Sequence, residues 1–263
     1  MSKKNDVPTI IDLNDNRKKQ EMFNPSREKL LTQEQEEIIR KTMMEREARE
    51  KKQVIKKSVL DTASLPPQAN LIIIDNFYSN PYKTREFILT QEFKIRGNYP
   101  GQRTVSFATE ELKNSIEKFV FPFGGKITNF PIGEKAPNGH DNYNGAFQFT
   151  TSHDRSWYHV DGWNNWGGIV YLTPNAPLNS GTGFYQYEDG TRTEMGGKIR
   201  KNDKLVGDHS QDVTKWKLVD KAANVFNRLI LFNSKQYHSS MDYFGTTKED
   251  GRLFQCFFFD TEK

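Results

Sequence analysis

Trp157-Tyr158-His159-Val160-Asp161-Gly162 is the stretch from which the rest of the chain can be read. In an extended strand, residues i and i+2 point to the same face. The imidazole of His159 and the carboxylate of Asp161 can therefore converge on one ion from a single strand end. Of the five histidines, only His159 has a carboxylate two positions on. Taken alone, the motif competes with an ordinary histidine beside a surface aspartate.

A third candidate ligand lies far downstream. His238 follows the apolar run Arg228-Leu229-Ile230-Leu231-Phe232-Asn233. Two histidines and one carboxylate on neighbouring strands leave one face of a metal open, the arrangement of non-haem Fe(II) oxygenases, where cosubstrate and O2 must both reach the ion. Beyond His238, Arg252 opens the strongly apolar segment Gly251-Arg252-Leu253-Phe254-Gln255-Cys256-Phe257-Phe258-Phe259-Asp260. A guanidinium entering such a strand needs an anionic partner, and a bound dicarboxylate would supply one through a bidentate fork. The competing reading puts Arg252 at the strand's exposed beginning.

Outward from these residues the pattern is β-rich. Short segments broken by Gly, Pro and Asn predict strands over Lys126–Phe130, Ala146–Thr151, Trp157–Val160, Gly168–Leu172, Gly183–Tyr187, Trp216–Val219, Leu229–Phe232, Gln236–Ser239 and Arg252–Phe259. Leu71-Ile72-Ile73-Ile74 reads as a buried strand before them. Asn80-Pro81 caps and opens a helix to about Phe93, and a second helix runs from Thr109 to Phe119. The fold class expected is mainly β with flanking helices, a jelly roll with the helices packed on one sheet.

The N-terminal quarter is different. Hydrophobic residues make up only 35% of the chain, and Phe23 is the sole aromatic within positions 1–60, so a core can form only after about Leu65. Positions 1–60 hold 15 Lys and Arg against 11 Asp and Glu, leaving 23 of each sign in the remainder. All of the +4 net charge thus sits in this extension, and the balanced remainder argues against a strongly basic nucleic-acid face. Residues 1–30 are polar and patternless, with disorder expected. Thr32 with Gln35 has capping-box spacing, and a long solvated helix is predicted from Gln33 to about Lys57. It carries acid-first pairs Glu36/Arg40, Glu37/Lys41, Glu45/Arg49 and Glu47/Lys51 and a thin stripe of Ile38, Ile39, Met43, Val54 and Ile55. Asp61-Thr62-Ala63-Ser64-Leu65-Pro66-Pro67 reads as a linker. Two parts follow: 1–60, a charged helical extension, and 61–263, the domain with the chemistry. The extension is a solvated appendage or a helix that takes a protein partner.

Cys256 is the only cysteine, so no intrachain disulfide can form, and its apolar setting predicts a buried inert thiol. Met1-Ser2-Lys3-Lys4-Asn5-Asp6 lacks the apolar run of a signal peptide, and no segment has the length of a membrane span. A cytoplasmic protein without membrane contact is expected.

Tyr158-His159-Val160-Asp161, Gly168-Ile169-Val170-Tyr171-Leu172-Thr173, Ser180-Gly181-Thr182-Gly183-Phe184, the distal His238 and the Arg252 strand together resemble the 2-oxoglutarate/Fe(II)-dependent dioxygenase superfamily, most of all its prolyl-4-hydroxylase-like branch. The resemblance spans about residues 71–263. It implies a double-stranded β-helix, with Fe(II) held by His159, Asp161 and His238, 2-oxoglutarate as cosubstrate, O2 as oxidant, and Arg252 paired with the distal carboxylate of 2-oxoglutarate. Tyr171 matches a tyrosine that hydrogen-bonds the same carboxylate; a packed strand tyrosine is the alternative. Thr173 stands where the family usually has Asn, and Arg252 lies farther past the distal histidine than in many relatives, which leaves the shape of the loop Ser240–Asp250 open. A protein side chain, amino acid, nucleobase or metabolite would each suit as substrate. Two rivals stand beside this reading. One is a cupin-like metalloenzyme without a keto acid, and the other a non-catalytic binding module.

His140 and His209 sit in polar loops, and His153 lies beside Asp154 rather than two from it; none is expected in the site. Trp163 and Trp166 either line a substrate mouth or pack at a loop base. Asn98-Tyr99-Pro100-Gly101-Gln102-Arg103 reads as a turn, whose Arg103 either reaches the site or, like most surface arginines, stays clear of it.

Overall fold

The computed structural model of the chain describes residues 33–62, 69–136, 138–193 and 209–263. The chain divides into two units, Met1–Leu65 and Pro66–Lys263. In the first, helix α1 covers Gln33–Thr62; the expectations for residues 1–30, for the cap at Thr32 and for 63–67 lie outside the described residues. Asp61 and Thr62, read as linker, are helical. Proline restricts itself and the residue before it, so Pro66-Pro67 leaves these two free to continue the helix. From residue 37 to 51 every side chain is exposed, Ile38, Ile39 and Met43 included. Among the described side chains here, the pair that closes is Arg46–Glu50 at 3.1 Å, base first, rather than Glu37/Lys41, Glu45/Arg49 or Glu47/Lys51. No described helix is long and apolar enough to cross a membrane.

The second unit begins with β1 (Leu71–Ile74) and α2 (Pro81–Leu89). Asn80 caps α2 by accepting from the Lys83 N–H at 3.1 Å, with Pro81 in the first turn where its missing donor costs nothing. The helix stops short of Phe93 because Ile95 is already extended, exchanging two backbone hydrogen bonds with Arg103. That partner belongs to β2 (Gln102–Ser106), a strand the sequence reading took for a turn. The turn is real but ends at Gly101, whose φ of +73° is left-handed, and where a Cβ would meet the Phe149 carbonyl at 2.0 Å. After it, Thr104-Val105 supplies the β-branched character a strand favours. Helix α3 (Glu110–Gly124) is capped by Thr109, which accepts from the Leu112 N–H. It outruns the expected Phe119 because buried Ile116 and Val120 prolong its apolar stripe.

The remaining strands are β3 (Ile127–Asn129), β4 (Ala146–Thr150), β5 (Trp166–Tyr171), β6 (Thr182–Tyr187), β7 (Trp216–Ala222), β8 (Leu229–Asn233), β9 (His238–Ser240) and β10 (Arg252–Thr261). The larger sheet has the order β1-β8-β5-β10-β4-β2, with β3 on the far end of β10; the smaller has the order β7-β6-β9. All pairings are antiparallel. The expected strand Trp157–Val160 is extended chain tied to β9 by the isolated bridge His159–His238. It thereby extends the smaller sheet. From β4 to β10 the chain passes repeatedly between the two sheets, which is the jelly roll, or double-stranded β-helix, expected from the sequence.

The pleat of β10 explains how one strand serves two interiors. Leu253, Phe257 and Phe259 join Ile88 of α2, Ile116 and Val120 of α3, and Val170 and Leu231 in the core between helices and sheet. Phe254, Cys256 and Phe258 face the other way, with Tyr171, Phe184, Ile230 and Phe232 between the sheets. The buried Cys256 accords with the expected inert thiol, and burial raises its pKa. Phe257 is fully buried and stacks on Phe130. Phe257→Ala is expected to cost about 3–5 kcal/mol, read as a lower denaturant midpoint at unchanged slope.

Candidate metal centre

The backbone pairing of residue 159 with residue 238 builds this site. His159 N–H donates to the His238 carbonyl at 3.1 Å, and His238 N–H returns to the His159 carbonyl at 2.8 Å. The two rings then lie with centroids 4.4 Å apart. Asp161 is held by its N–H to the Ser234 carbonyl, and its side chain shares the face of His159, as the i, i+2 spacing requires. Its carboxylate oxygens lie 3.8 Å from His159 Nε2 and 3.4 Å from His238 Nε2. One ligand atom from each of the three falls within 4.8 Å of the others.

Both histidines are oriented the same way. His159 Nδ1 lies 2.9 Å from the Trp157 carbonyl, and His238 Nδ1 lies 2.9 Å from the Gln236 carbonyl. A carbonyl only accepts, so each Nδ1 carries a proton and each Nε2 presents its lone pair to the centre. Two imidazole nitrogens and a carboxylate oxygen so arranged fit a borderline divalent metal. Burial, then the neighbouring His238, pushes the His159 pKa down to about 4. Burial also opposes charge on His238, but contact with Asp161 outweighs it and holds His238 above the ordinary histidine value. Burial raises Asp161, and the two histidines more than reverse that, keeping it ionised.

The centre opens into a cavity of about 80 Å³ between the sheets, walled by Phe232, Phe254 and Phe258. Phe232 and Phe184 pack against the His238 ring at 4.8 and 6.4 Å. Gly167 makes room for this wall, since a Cβ there would stand 2.6 Å from the Phe232 ring and 3.4 Å from Asp161 Oδ2.

Arg252 is completely buried, not at an exposed strand start. Its Nε donates to the Ser180 carbonyl at 2.8 Å, Nη2 reaches the Gly181 carbonyl at 3.5 Å, and Nη1 has no hydrogen-bond partner among the described residues. No described carboxylate pairs with it. The guanidinium lies 5.4 Å from the Tyr171 ring centroid and 4.3 Å from that of Phe254. Tyr171 is also fully buried, its hydroxyl 2.8 Å from Thr182 Oγ1, and Thr182 lines the cavity. Thr173, where the resembled family usually has Asn, donates to the Gly251 carbonyl at 2.7 Å and accepts from the Leu253 N–H at 2.8 Å. It clamps the backbone on both sides of Arg252. In the loop after β9, Asp250 accepts from the backbone of Thr246 and Thr247 and closes a tight turn before Arg252.

Three other residues belong to the cavity, and of these the sequence singles out only Arg103, without deciding its place. Arg103 is buried and lines it together with Tyr99 and Gln148. The signal was present: Thr104-Val105 after a Pro-Gly turn marks a strand, and a strand arginine at period two from neighbouring apolar positions faces inward. Trp163 is almost wholly exposed, while Trp166 is buried in the helix-side core with Nε1 donating to Thr261; neither lines the cavity. His140 and His153 are exposed, and His209 bonds the Tyr187 hydroxyl away from the triad.

No family model matches the sequence, and no curated protein matches it significantly. Among solved structures, HygX from Streptomyces hygroscopicus, crystallised with nickel and 2-oxoglutarate bound, aligns with a TM-score of 0.51 at 11% identity, over 74% of this chain and 84% of that one. A prolyl hydroxylase from Trichoplax adhaerens, in complex with a hypoxia inducible factor peptide fragment, aligns with a TM-score of 0.42 at 14% identity, over 73% and 84%. The likeness to HygX establishes a shared fold.

Two measurements probe the triad. Asp161→Asn is expected to weaken Mn(II) binding by at least a hundredfold in calorimetry, since direct ligands matter more than the outer partners that cost roughly 10–100-fold. Because His238 is held above its ordinary pKa, a proton competes with metal there. Affinity should fall as pH drops from about 8 to 6, with proton release on binding; affinity flat across that range would contradict the assignment.

Proposed function

We propose that this chain is an Fe(II)- and 2-oxoglutarate-dependent oxygenase, a hydroxylase in which His159, Asp161 and His238 hold the metal while Arg252 and Tyr171 receive the far carboxylate of the cosubstrate. The observation that carries this reading is the state of Arg252. A guanidinium sealed in an apolar strand, bonded to two carbonyls but with one nitrogen unpartnered and no described carboxylate beside it, has its charge balanced only when an anion arrives. That anion's site adjoins the cavity onto which the three ligands converge.

With iron, 2-oxoglutarate and O2 bound, the group supplies oxidative decarboxylation to succinate and CO2, coupled to hydroxylation of a substrate. The chain's own residues provide the rest. The two Nδ1–carbonyl contacts keep both Nε2 atoms aimed at one point, and the one-sided ligand set leaves the opposite face for cosubstrate. Phe232 and Phe184 keep water from the His238 side. Arg252 offers a planar fork to a carboxylate. Tyr171, whose pKa is raised by burial, stays protonated and donates its hydroxyl hydrogen. A wider groove of about 380 Å³ shares Ser156 and Ser240 with the metal cavity, which supports an approach for substrate from that side. A protein side chain, an amino acid, a nucleobase or a metabolite would suit it.

Purified protein with Fe(II), ascorbate and 2-oxoglutarate should release succinate, faster when substrate is present. Arg252→Ala is expected to weaken 2-oxoglutarate binding by at least about thirtyfold, equal to about 2 kcal/mol, with Arg252→Lys intermediate. In the absence of metal and cosubstrate, Arg252→Met should melt higher than wild type, because an apolar side chain replaces an unpaired buried charge. Wild-type affinity in Arg252→Ala would instead support a cupin-like enzyme that uses no keto acid.

A further inference from the structure

A second buried guanidinium, unlike that of Arg252, lines the cavity itself. Arg103 enters from β2 and lines the same space as His159 and Asp161. It is only 7% exposed, yet no described Asp or Glu pairs with it. Its Nε donates to Gln148 Oε1 at 2.7 Å, and Gln148 Nε2 is in turn fixed on the Pro100 carbonyl. The guanidinium carbon lies 3.7 Å from the Tyr99 ring centroid and 5.0 Å from that of Tyr143, whose rings meet edge to face. Stacking and the Gln148 contact fix the plane of the group. Both Nη groups remain without a hydrogen-bond partner among the described residues. Nearby, the Tyr99 hydroxyl is buried and unpartnered, and burial pushes its pKa up to about 12, so it remains a donor.

We infer that Arg103, with the Tyr99 hydroxyl, is the receptor for an oxyanion, a carboxylate or phosphate, on the primary substrate. The inference rests on the oxygenase reading for the identity of the other occupants. Under it the cavity and the adjoining Arg252 pocket together contain a divalent ion, two guanidiniums, the Asp161 carboxylate and a dicarboxylate cosubstrate. One positive charge is then left without a counter-charge, and a substrate anion at Arg103 balances it. A planar guanidinium already held in place loses little freedom in forming a bidentate pair. The substrate class is therefore acidic, and the anion orients it while the bond to be oxidised lies toward the metal.

The test uses Zn(II), which carries no redox chemistry, with full-length wild type, Arg103→Gln and Arg103→Lys. Calorimetry first measures 2-oxoglutarate binding to each Zn(II)-loaded protein. Acetate and inorganic phosphate are then titrated separately into the 2-oxoglutarate-saturated complexes. The expected result is that wild type binds at least one of the two probes, telling carboxylate from phosphate. Arg103→Gln should weaken that second event at least tenfold, and Arg103→Lys less, with 2-oxoglutarate affinity changed by no more than about threefold. Thermal melts identify any variant that has lost its fold, in which case the lysine variant alone decides. A probe that binds Arg103→Gln as well as wild type is ligating the metal and overturns the proposal. So does the absence of any second event in wild type, or a loss of 2-oxoglutarate affinity as large as that for the probe, which would assign Arg103 to the cosubstrate. If wild type binds no 2-oxoglutarate, the oxygenase reading fails separately; the probes titrated into the Zn(II) protein alone then decide whether Arg103 receives an anion.

Discussion

Everything at the site depends on one antiparallel backbone pair. His159 and His238 exchange both of their hydrogen bonds across the seam between an extended segment and β9. That exchange sets the register of two pieces of chain that lie far apart in sequence. A slip of one residue would turn one of the imidazoles to the opposite face. The carboxylate of Asp161 then needs no long-range device, because the pleat alone delivers it beside His159. A constraint made of main-chain groups thus places the side chains of the candidate metal centre.

The larger sheet completes the arrangement by keeping two interiors apart. Along β10, one face gives Phe257 and Phe259 to the helices, and the other gives Arg252, Phe254 and Cys256 to the space between the sheets. The helices α2 and α3 therefore stabilise the strand that bears Arg252 without entering its surroundings. Thr173 adds a local clamp, bonding the backbone before and after the arginine. Rigidity comes from one side of the sheet, and the candidate site lies on the other.

Much of this could be read from residue order. The His-x-Asp spacing, the apolar strand ahead of His238 and the arginine opening a run of phenylalanines each state a local physical requirement, and such requirements survive without coordinates. The cap at Asn80 was legible for the same reason, since its side chain bonds a backbone N–H three residues on; Thr109 was legible as a helix start, and the structure adds its capping bond. What could not be read was pairing. Trp157–Val160 looks like a strand by composition but meets its neighbour at one bridge, because its extent depends on β9 being short. Arg103 stays undecided between site and surface in the sequence because a turn signal, Pro100-Gly101, hides the strand that follows it. Its burial arises from Tyr99, Tyr143, Gln148 and Phe258, side chains drawn from separate stretches of the chain. Thr173 was noticed only as a departure from the resembled family; its clamp becomes visible once Gly251 and Leu253 are beside it.

The Nδ1 contacts of the two histidines have a further consequence. Each is made to the carbonyl two residues earlier on the same chain segment, Trp157 for one and Gln236 for the other. Which nitrogen of each neutral imidazole carries the proton is thereby a property of strand conformation rather than of the cavity walls. The walls of the cavity can be recut, by exchange of Phe254, Phe258 or Tyr99, without disturbing the electronic character of the donors. Such a scaffold separates the walls of the cavity from the presentation of the three candidate ligand atoms.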